Sequence, residues 1–289
     1  MILIADSGST KTDWVLLKKG KPTELLQTDG YNPYYYGVEK IELIVGDQLI
    51  RQIEDANAVK AIYFYGSGCS SPENIEKVSS PLRRFFPLAH VKVFHDLLGA
   101  AHALLGKNEG IACILGTGSN TCLFDGSKII EQVPSLGYLY GDEGSGTYLG
   151  CAFIRAYLAE LMPKELVKQF EREYNLDQLK VLKESYNNPN PNKFMAKFPH
   201  FIKDHIDHPY MREMVKSNFS DFYNHQIARY ESCHILPISF VGSIAYHFHD
   251  LLNETALEYN FVIGKIIQKP IHGLIDFYSE MFSSATEVR

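Results

Sequence analysis

Two glycine-rich turns, about a hundred residues apart, have the composition of anion-binding sites. Each turn separates two apolar runs, so the pattern predicts a strand, a tight turn and a second strand. Backbone N–H groups of such a turn can converge on a phosphate, although an ordinary Gly/Ser surface turn remains the alternative. The residues concerned are Gly8, Ser9, Thr10, Lys11 and Thr12 in the first turn, and Gly116, Thr117, Gly118 and Ser119 in the second.

Two aspartates follow apolar runs and could take part in phosphoryl chemistry. Asp6 ends the first run, where a carboxylate can hold Mg²⁺ through water. Asp96 lies between the strand pattern of residues 91–95 and the helix pattern of residues 97–105. An aspartate at this place is often only a helix N-cap, but it can also accept the proton of an attacking hydroxyl group. Both interpretations of Asp96 stay open from its position alone.

Taken in order, these segments resemble the sugar kinase/Hsp70/actin superfamily. Within it, they are similar to the eukaryotic-type N-acetylglucosamine kinases and the related BadF/BadG ATPases. The resemblance extends from residue 1 to about residue 250, whereas residues 163–230 carry no matching motif. It implies an α/β protein with the two-lobed, actin-like (ribonuclease H-like) fold and a nucleotide cleft between the lobes. The matching segments are residues 6–12, Asp96, and residues 116–120, 141–145 and 240–245.

The resemblance also implies roles for individual residues. Asp96 would be the catalytic base, both glycine turns would bind ATP together with Gly242 and Ser243, and Asp6 and Asp142 would hold Mg²⁺ through water. The sugar would be bound by Asn32, Asp96, Gly137 and Asp142.

The sugar pocket departs from the family in one place. The human-type enzymes carry a Gly-Trp-Gly sugar contact where this chain reads Ser135-Leu136-Gly137, so the tryptophan is missing and the exact sugar stays open. Asn32 begins a tyrosine-rich stretch, residues 32–36, which could form the floor of a sugar site or a plain surface loop.

The function that the resemblance implies is ATP-dependent phosphorylation of an amino sugar, with N-acetylglucosamine and its 6-hydroxyl group as the leading substrate. One alternative is an iron–sulfur ATPase activator of the BadF type, but the chain shows no paired cysteines for a shared cluster. Another is a non-catalytic sugar or nucleotide sensor, for which a base such as Asp96 would be unnecessary.

The pattern of apolar runs alternates strands and helices, which favours α/β layers and a duplicated βββαβα unit. We expect an N-terminal lobe of residues 1–107 joined by a C-terminal helix, residues 272–289, and a C-terminal lobe of residues 108–271 that contains a helical insertion. Predicted strands are 2–6, 13–18, 24–29, 60–66, 90–95, 110–115, 120–124, 128–133 and 235–241. Predicted helices are 38–54, 72–85, 97–105, 145–161, 210–230 and 243–258.

Composition fits a cytoplasmic enzyme of 289 residues with a net charge of −6. The absence of a basic run argues against nucleic acid as a partner, and no stretch of 18 apolar residues indicates a membrane span. The N-terminus lacks the charged region and length of a signal peptide. Five scattered cysteines without a CxxC motif predict reduced, mostly buried thiols. The expected partners are ATP and a small amino sugar, and the choice between monomer and homodimer stays open.

Overall fold

The structure is a computed structural model that describes residues 1–8, 10–18 and 23–284. It divides into two compact units, one made of residues 1–106 with the chain from residue 269 onward, and the other of residues 107–268. None of the helices among the described residues is both long and apolar enough to cross a membrane. All five cysteines are free thiols, and only Cys151 is not fully buried.

The first unit is built on a five-stranded sheet in the order β3-β2-β1-β4-β5. β1, β2 and β3 pair antiparallel, whereas β4 and β5 continue parallel to β1. The central strand is apolar on both faces, with Leu3, Ile4 and Ala5 fully buried, as expected for a strand covered by helices on both sides. Its elements are β1 (Ile2–Ser7), β2 (Lys11–Leu17), β3 (Glu24–Asp29), α1 (Val38–Leu43), β4 (Ala61–Gly66), α2 (Pro72–Phe85), β5 (His90–His95) and α3 (Asp96–Leu105).

The second unit repeats this topology with a sheet in the order β10-β9-β6-β7-β8. β6, β7 and β8 pair antiparallel, and β9 and β10 run parallel to β6. Its elements are β6 (Glu109–Leu115), β7 (Ser119–Asp125), β8 (Ile129–Glu131), α4 (Gly137–Tyr140), α5 (Gly146–Leu158), α6 (Lys164–Tyr174), α7 (Gln178–Asn187), α8 (Pro191–Met195), α9 (Pro199–Asp204), α10 (Pro209–His225), β9 (Ile238–Val241), α11 (Ser243–His247), α12 (His249–Glu258) and β10 (Ile263–Ile267). The duplicated α/β fold predicted from the sequence is therefore confirmed.

The helical stretch between β8 and β9 is held by an aromatic cluster. Phe153 of α5 packs edge-on against Phe170 of α6, with ring centroids 5.0 Å apart, and Phe198 and Phe201 complete the cluster. These rings are fully buried, so the residues that carry no motif form the core of this stretch. A helical insertion was predicted for this part of the chain, but the bounds of α6 to α9 within it were not.

The predicted elements need three corrections. β10 was missed, because it is an edge strand with a glycine and a lysine and lacks the continuous apolar run of a central strand. The single helix predicted for residues 243–258 is two helices, since the backbone leaves the helical conformation at Phe248. The helix predicted for residues 38–54 begins as α1 and continues through a π-helical turn, Ile44–Leu49, and a 3₁₀ turn, Ile50–Gln52.

The last helix, α13 (Pro270–Ser284), belongs to the first unit and packs against α3. Gly273 lies against the Ala103 carbonyl so closely that a side chain would not fit there. The His102 ring stacks on Phe277 with centroids 4.3 Å apart. Residues 285–289, the end of the predicted helix 272–289, lie outside the described residues.

Candidate active site

Three parallel strands of the first unit end at the same edge of its sheet. The register aligns Ser7 of β1 with Gly66 of β4, and Gly66 with His95 of β5. Beyond β4, the Ser67 amide donates to the Ser7 carbonyl at 3.0 Å, so the alignment continues into the loop. This edge therefore gathers Asp6, Ser67 and Asp96, which are far apart in the sequence.

Asp96 is held by side chains on both sides. The Ser67 hydroxyl donates to Asp96 Oδ2 at 2.7 Å, and His95 Nδ1 lies 3.0 Å from Asp96 Oδ1. Regular alternation along a strand would point His95 and Asp96 to opposite sides, but β5 ends at His95 and the chain turns into α3 there, so the two side chains meet. The Leu97 amide also lies 3.2 Å from His95 Nδ1, and His95, not Asp96, occupies the N-cap position of α3.

Asp96 is ionised at neutral pH. Burial alone would raise its pKa, but His95, the Ser67 hydroxyl and the Leu97 amide outweigh burial and hold the pKa below the ordinary value of 3.8. Burial lowers the pKa of His95, and hydrogen bonding and charge from Asp96 reverse this into a net rise. Asp96 Oδ1 is buried beside the His95 ring, while a quarter of the side chain is exposed, so a ligand can approach the carboxylate only on the Oδ2 side.

Asp6 lies in a negative environment at the end of β1. Burial, and after it the carboxylates of Asp96 and Asp13, raise its pKa to about 7 against the opposing charges of Lys11 and Lys269. A bound cation would relieve this repulsion. Among the described residues, no three histidine, cysteine or acidic side chains cluster as metal ligands. Mg²⁺ does not need such a cluster, because it commonly uses one or two carboxylates, water and substrate phosphates. Asp6 therefore fits a water-mediated Mg²⁺ contact.

The first glycine turn closes the β1–β2 hairpin. The Gly8 amide donates to the Lys11 carbonyl at 3.0 Å, and the hydroxyls of Ser7 and Thr12 are 2.8 Å apart. Gly30 supports the turn from beneath, since its amide donates to the Thr10 carbonyl at 3.0 Å and a side chain there would collide with the turn backbone. Gly30 was not among the residues predicted to form this site. Ser9 lies outside the described residues.

Lys11 and Lys269 form a small charged group with Asp13. Lys269 Nζ lies 3.1 Å from Asp13 Oδ2 and Lys11 Nζ lies 3.7 Å from the same oxygen. Half of the Lys11 side chain is exposed, so it remains accessible to an anion at the turn.

Asn32 lies on the same side of the first unit as Asp96. Its side chain is buried, its Oδ1 accepts from the Tyr34 amide at 3.0 Å, and it touches Gly68, which directly follows Ser67. A side chain at Gly68 would meet Asn32 Oδ1 at 2.5 Å, and the backbone φ of +80° also favours glycine there. The structure therefore brings Asn32 to the loop that holds Asp96. The adjacent tyrosines, Tyr34, Tyr35 and Tyr36, are exposed.

The second glycine turn closes the β6–β7 hairpin and rests on the start of α5. The Gly146 amide donates to the Gly116 carbonyl at 2.8 Å, and the Thr147 amide and hydroxyl donate to the Thr117 carbonyl at 3.0 and 2.7 Å. These bonds engage the carbonyls of the turn. Within the part of the chain that the structure describes, the amides of Thr117 and Gly118 donate to no protein group, so they are available to an anion.

Asp142 and Gly242 lie against the same turn. Asp142 Oδ1 accepts from the Ser119 amide at 3.4 Å, and its backbone adopts a left-handed φ of 60°. Burial raises the pKa of Asp142, Glu143 adds to this, and the Ser119 amide opposes it. Gly242, with φ of 126°, packs on the Leu115 carbonyl and the Gly116 amide, where a side chain would collide. Ser243 follows it at an exposed position.

Gly137 stands apart from the turn contacts. It begins α4 with a φ of 69° in a mostly exposed segment, and its carbonyl accepts from the Gly141 amide at 2.8 Å, one residue before Asp142. Each unit thus assembles its own set of predicted residues. The first unit gathers Asp6, Asn32, Asp96 and the first turn, and the second gathers the second turn, Gly137, Asp142, Gly242 and Ser243.

Comparison with known proteins was made at three levels. No protein-family model and no curated protein matches the chain. Among solved structures, a Porphyromonas gingivalis protein provisionally assigned as an N-acetylglucosamine kinase is 41% identical, covers 96% of this chain and 98% of its own, and superposes with a TM-score of 0.92.

Two more distant structures share the fold. A provisionally assigned N-acetylglucosamine kinase from Chromobacterium violaceum is 17% identical over 96% of this chain and 98% of its own, with a TM-score of 0.71. A provisionally assigned sugar kinase from Cytophaga hutchinsonii is 18% identical over 92% of this chain and 94% of its own, with a TM-score of 0.52. At these identities the likeness concerns the fold alone.

Proposed function

The chain belongs to the N-acetylglucosamine kinase-like proteins of the sugar kinase/Hsp70/actin superfamily, and from this premise we propose that it transfers the γ-phosphoryl group of ATP to the 6-hydroxyl group of N-acetylglucosamine. Membership follows from 41% identity to the Porphyromonas gingivalis protein over nearly the whole of both chains. The observation that carries the proposal is the partly buried, ionised Asp96, which accepts from Ser67 in the loop that contacts Asn32.

Asp96 is the proposed catalytic base. A sugar hydroxyl is a weak nucleophile at neutral pH, so its proton must pass to a carboxylate within hydrogen-bond reach as the phosphoryl group is transferred. Asp96 Oδ1 is buried beside His95, whereas Oδ2 accepts one hydrogen bond from Ser67 and has a further lone pair for a second. We assign Oδ2 as the proton acceptor. The lowered pKa of Asp96 keeps the carboxylate charged and ready at physiological pH.

The two glycine turns are the proposed phosphate-binding elements, and Gly242 with Ser243 is the proposed adenosine contact. Backbone amides of the second turn, at Thr117 and Gly118, point to no protein acceptor and suit phosphate oxygens. Asp6, together with Asp142, would hold Mg²⁺ through water. When bound, Mg²⁺ neutralises charge on the phosphates. Asp6 itself supplies a buried carboxylate whose repulsion with Asp96 and Asp13 a cation relieves.

Asn32, Gly137 and Asp142 are the proposed sugar contacts besides Asp96. The Asn32 carboxamide can pair with sugar hydroxyls as donor and acceptor. Residues 1–107 with 272–289 would provide the sugar and first phosphate contacts, and residues 108–271 the second phosphate and adenosine contacts. The iron–sulfur activator alternative is disfavoured, because four of the five cysteines are buried and cannot reach a cluster shared with another subunit.

A coupled assay of ADP release over a panel of amino sugars and plain hexoses tests this proposal. We expect release that depends on sugar and Mg²⁺, is fastest with N-acetylglucosamine, and yields the 6-phosphate by phosphorus NMR. The Asp96→Asn variant serves as the control for background ATPase activity. Sugar-independent ADP release, or phosphorylation of none of the panel, would contradict the proposed kinase activity.

A further inference from the structure

His95 is the last residue of β5 and directly precedes the proposed base, yet the phosphoryl transfer described above gives it no role. The strand register pairs it with Gly66 of β4, and it occupies the N-cap position of α3. Helix N-caps are ordinarily Ser, Thr, Asp or Asn, whose side-chain oxygen accepts from the first helical amides. Helix capping alone therefore does not explain a histidine at this position.

The His95 ring lies against the buried side of the Asp96 carboxylate. His95 Nδ1 is 3.0 Å from Asp96 Oδ1, and Oδ1 is buried without an aligned hydrogen bond from the described residues. A buried anionic oxygen is costly unless a donor or a positive charge lies beside it. Attraction between charges does not need the linear geometry of a hydrogen bond. The His95 nitrogen is therefore placed to stabilise the charge on Oδ1.

Two groups compete for His95 Nδ1, and they require opposite states of this nitrogen. The Leu97 amide, at 3.2 Å, needs a lone pair on Nδ1, whereas Asp96 Oδ1 needs a proton there. A ring nitrogen can satisfy only one of these demands at a time. The Leu97 amide also donates to the Asp96 carboxylate, so it does not depend on His95 for an acceptor. Because the carboxylate is negative, the form with a proton on Nδ1 is favoured.

We propose, on the premise that Asp96 is the base of the proposed kinase, that His95 is its positioning residue: a proton on His95 Nδ1 holds Oδ1 inside the protein and leaves Oδ2 facing the sugar hydroxyl. Ser67 uses one lone pair of Oδ2, and a second remains for the substrate. The charge balance agrees with this geometry. Burial lowers the pKa of His95, and hydrogen bonding and charge from Asp96 reverse this into a net rise.

The ionisable groups around the pair decide how the proposal can be tested. Among the described residues, Asp96 supplies the charge that shifts the pKa of His95. Two further groups sense the charge of Asp96: burial and then Asp96 raise the pKa of Asp6 to about 7 and that of Cys69 to about 12. Cys69 stays neutral near pH 7, but Asp6 titrates there. A kinetic pH profile would mix Asp6 with His95, so the state of His95 must be measured on its own ring.

Nitrogen-15 NMR of the histidine rings, in the protein without substrates, tests the protonation of Nδ1. The signal of His95 is identified by its loss in His95→Asn. We expect Nδ1 to carry a proton at pH 7 in the wild-type protein. In Asp96→Asn the titration of His95 should move to lower pH, because burial remains while the carboxylate is gone. An unprotonated Nδ1, or a His95 titration that Asp96→Asn does not move, would overturn the proposal.

Steady-state kinetics with N-acetylglucosamine tests the positioning role. Asparagine keeps an N–H donor near the place of Nδ1, whereas leucine removes it. We expect His95→Leu to lower kcat about tenfold, the size of one hydrogen bond to a charged group, with the sugar KM little changed. His95→Asn should stay within about threefold of the wild-type kcat. His90→Leu, at the exposed start of the same strand, is the matched control and should leave kcat unchanged.

Three kinetic outcomes would overturn the positioning role: an unchanged kcat in His95→Leu, equal losses in His95→Asn and His95→Leu, or an equal loss in His90→Leu. The NMR comparison of wild type with Asp96→Asn does not depend on the folding of His95→Leu, whose melting temperature is measured beside it. A wild-type protein without sugar kinase activity would contradict the proposed function instead. The ring signals of His95 would still decide whether its Nδ1 proton faces Asp96.

Discussion

The two units repeat one topology but differ in what stands at the ends of equivalent strands. β4 is followed by Ser67, and β9 by Gly242 and Ser243, so a glycine–serine pair ends the corresponding strand in each unit. Asp96 directly follows β5, whereas Gln268 directly follows β10. The first unit therefore places a carboxylate where the second places a neutral amide. Both units therefore share the glycine–serine pair, and they differ in the side chain that follows the last parallel strand.

The glycine turns differ in the same way. The first turn rests on the backbone at Gly30 and is bordered by Asp6 and Lys11, which carry charge. The second rests on the start of α5 and offers backbone amides. We propose that the first unit carries the proton transfer and that the second mainly binds the nucleotide. Substitutions at Asp96 and at Gly118 separate these two contributions.

The largest effect is expected at the strand end where the units differ most. Asp96→Asn keeps the shape of the side chain but removes the proposed base, so kcat should fall about 10²-fold or more while ATP binding stays nearly intact. Gln268→Ala, at the equivalent place in the second unit, should change kcat less than about threefold, since no base is lost. Steady-state kinetics and nucleotide titration measure both. Equal effects of the two substitutions on kcat would contradict the proposed role of Asp96 as the base.

A second substitution tests whether the second unit binds the phosphates of ATP. A valine at Gly118 would press on Asp142, whose Oδ2 lies 3.0 Å from the position of the first side-chain carbon, and would block close approach of phosphate. We expect the KM for ATP to rise about tenfold, the size of one lost phosphate contact, with the sugar KM little changed. Loss of both sugar and ATP binding, together with a lower melting temperature, would indicate misfolding. The result would then give no support to phosphate binding by the second turn.

The third prediction concerns Ser67, which orients the proposed base. Ser67→Ala removes a hydrogen bond to a charged group, so kcat should fall about fivefold to tenfold. The donation from Ser67 lowers the pKa of Asp96, so its loss raises that pKa and should move the acidic limb of the kcat/KM profile to higher pH.

Ser70→Ala is the matched control for Ser67, because its hydroxyl pairs with that of Tyr34 at 2.9 Å and does not touch Asp96. A lower kcat with an unmoved acidic limb would mean that Ser67 acts only on packing. A shift of the limb in Ser70→Ala would mean that the loop, not the hydrogen bond, sets the pKa of Asp96.

Strands, turns and the duplicated fold could be predicted because apolar runs and glycines are local signals. The hydrogen bond from Ser67 to Asp96 could not, because the two residues are 29 positions apart and meet only through the register of β4 and β5. Gly30 is required by its approach to the first turn, which no local pattern reveals. β10 was not predicted, because an edge strand with Gly264 and Lys265 has a weak apolar pattern.

The smallest expected effect concerns α13, which follows the second repeat in sequence but belongs to the first unit. His102 of α3 meets Tyr65 through a hydrogen bond of 2.8 Å, and Tyr65 OH lies 2.7 Å from Tyr278 OH. Burial lowers the pKa of His102 from 6.5 to about 4. Between these values the unfolded chain takes up a proton that the folded chain does not, so stability falls as pH decreases from about 6.5 toward 4.

His102→Phe should reduce this pH dependence, because the ring stacked on Phe277 is kept and the titrating group is lost. Tyr65 can still pair with Tyr278. Urea unfolding at pH 7 and pH 5 should show that the free energy of unfolding falls by about 1 kcal/mol less in the variant than in the wild-type protein, after allowance for solvent screening. The difference between the two proteins isolates His102 from the other histidines. An identical loss in both would mean that His102 is protonated in the folded protein and does not attach α13 in its neutral form.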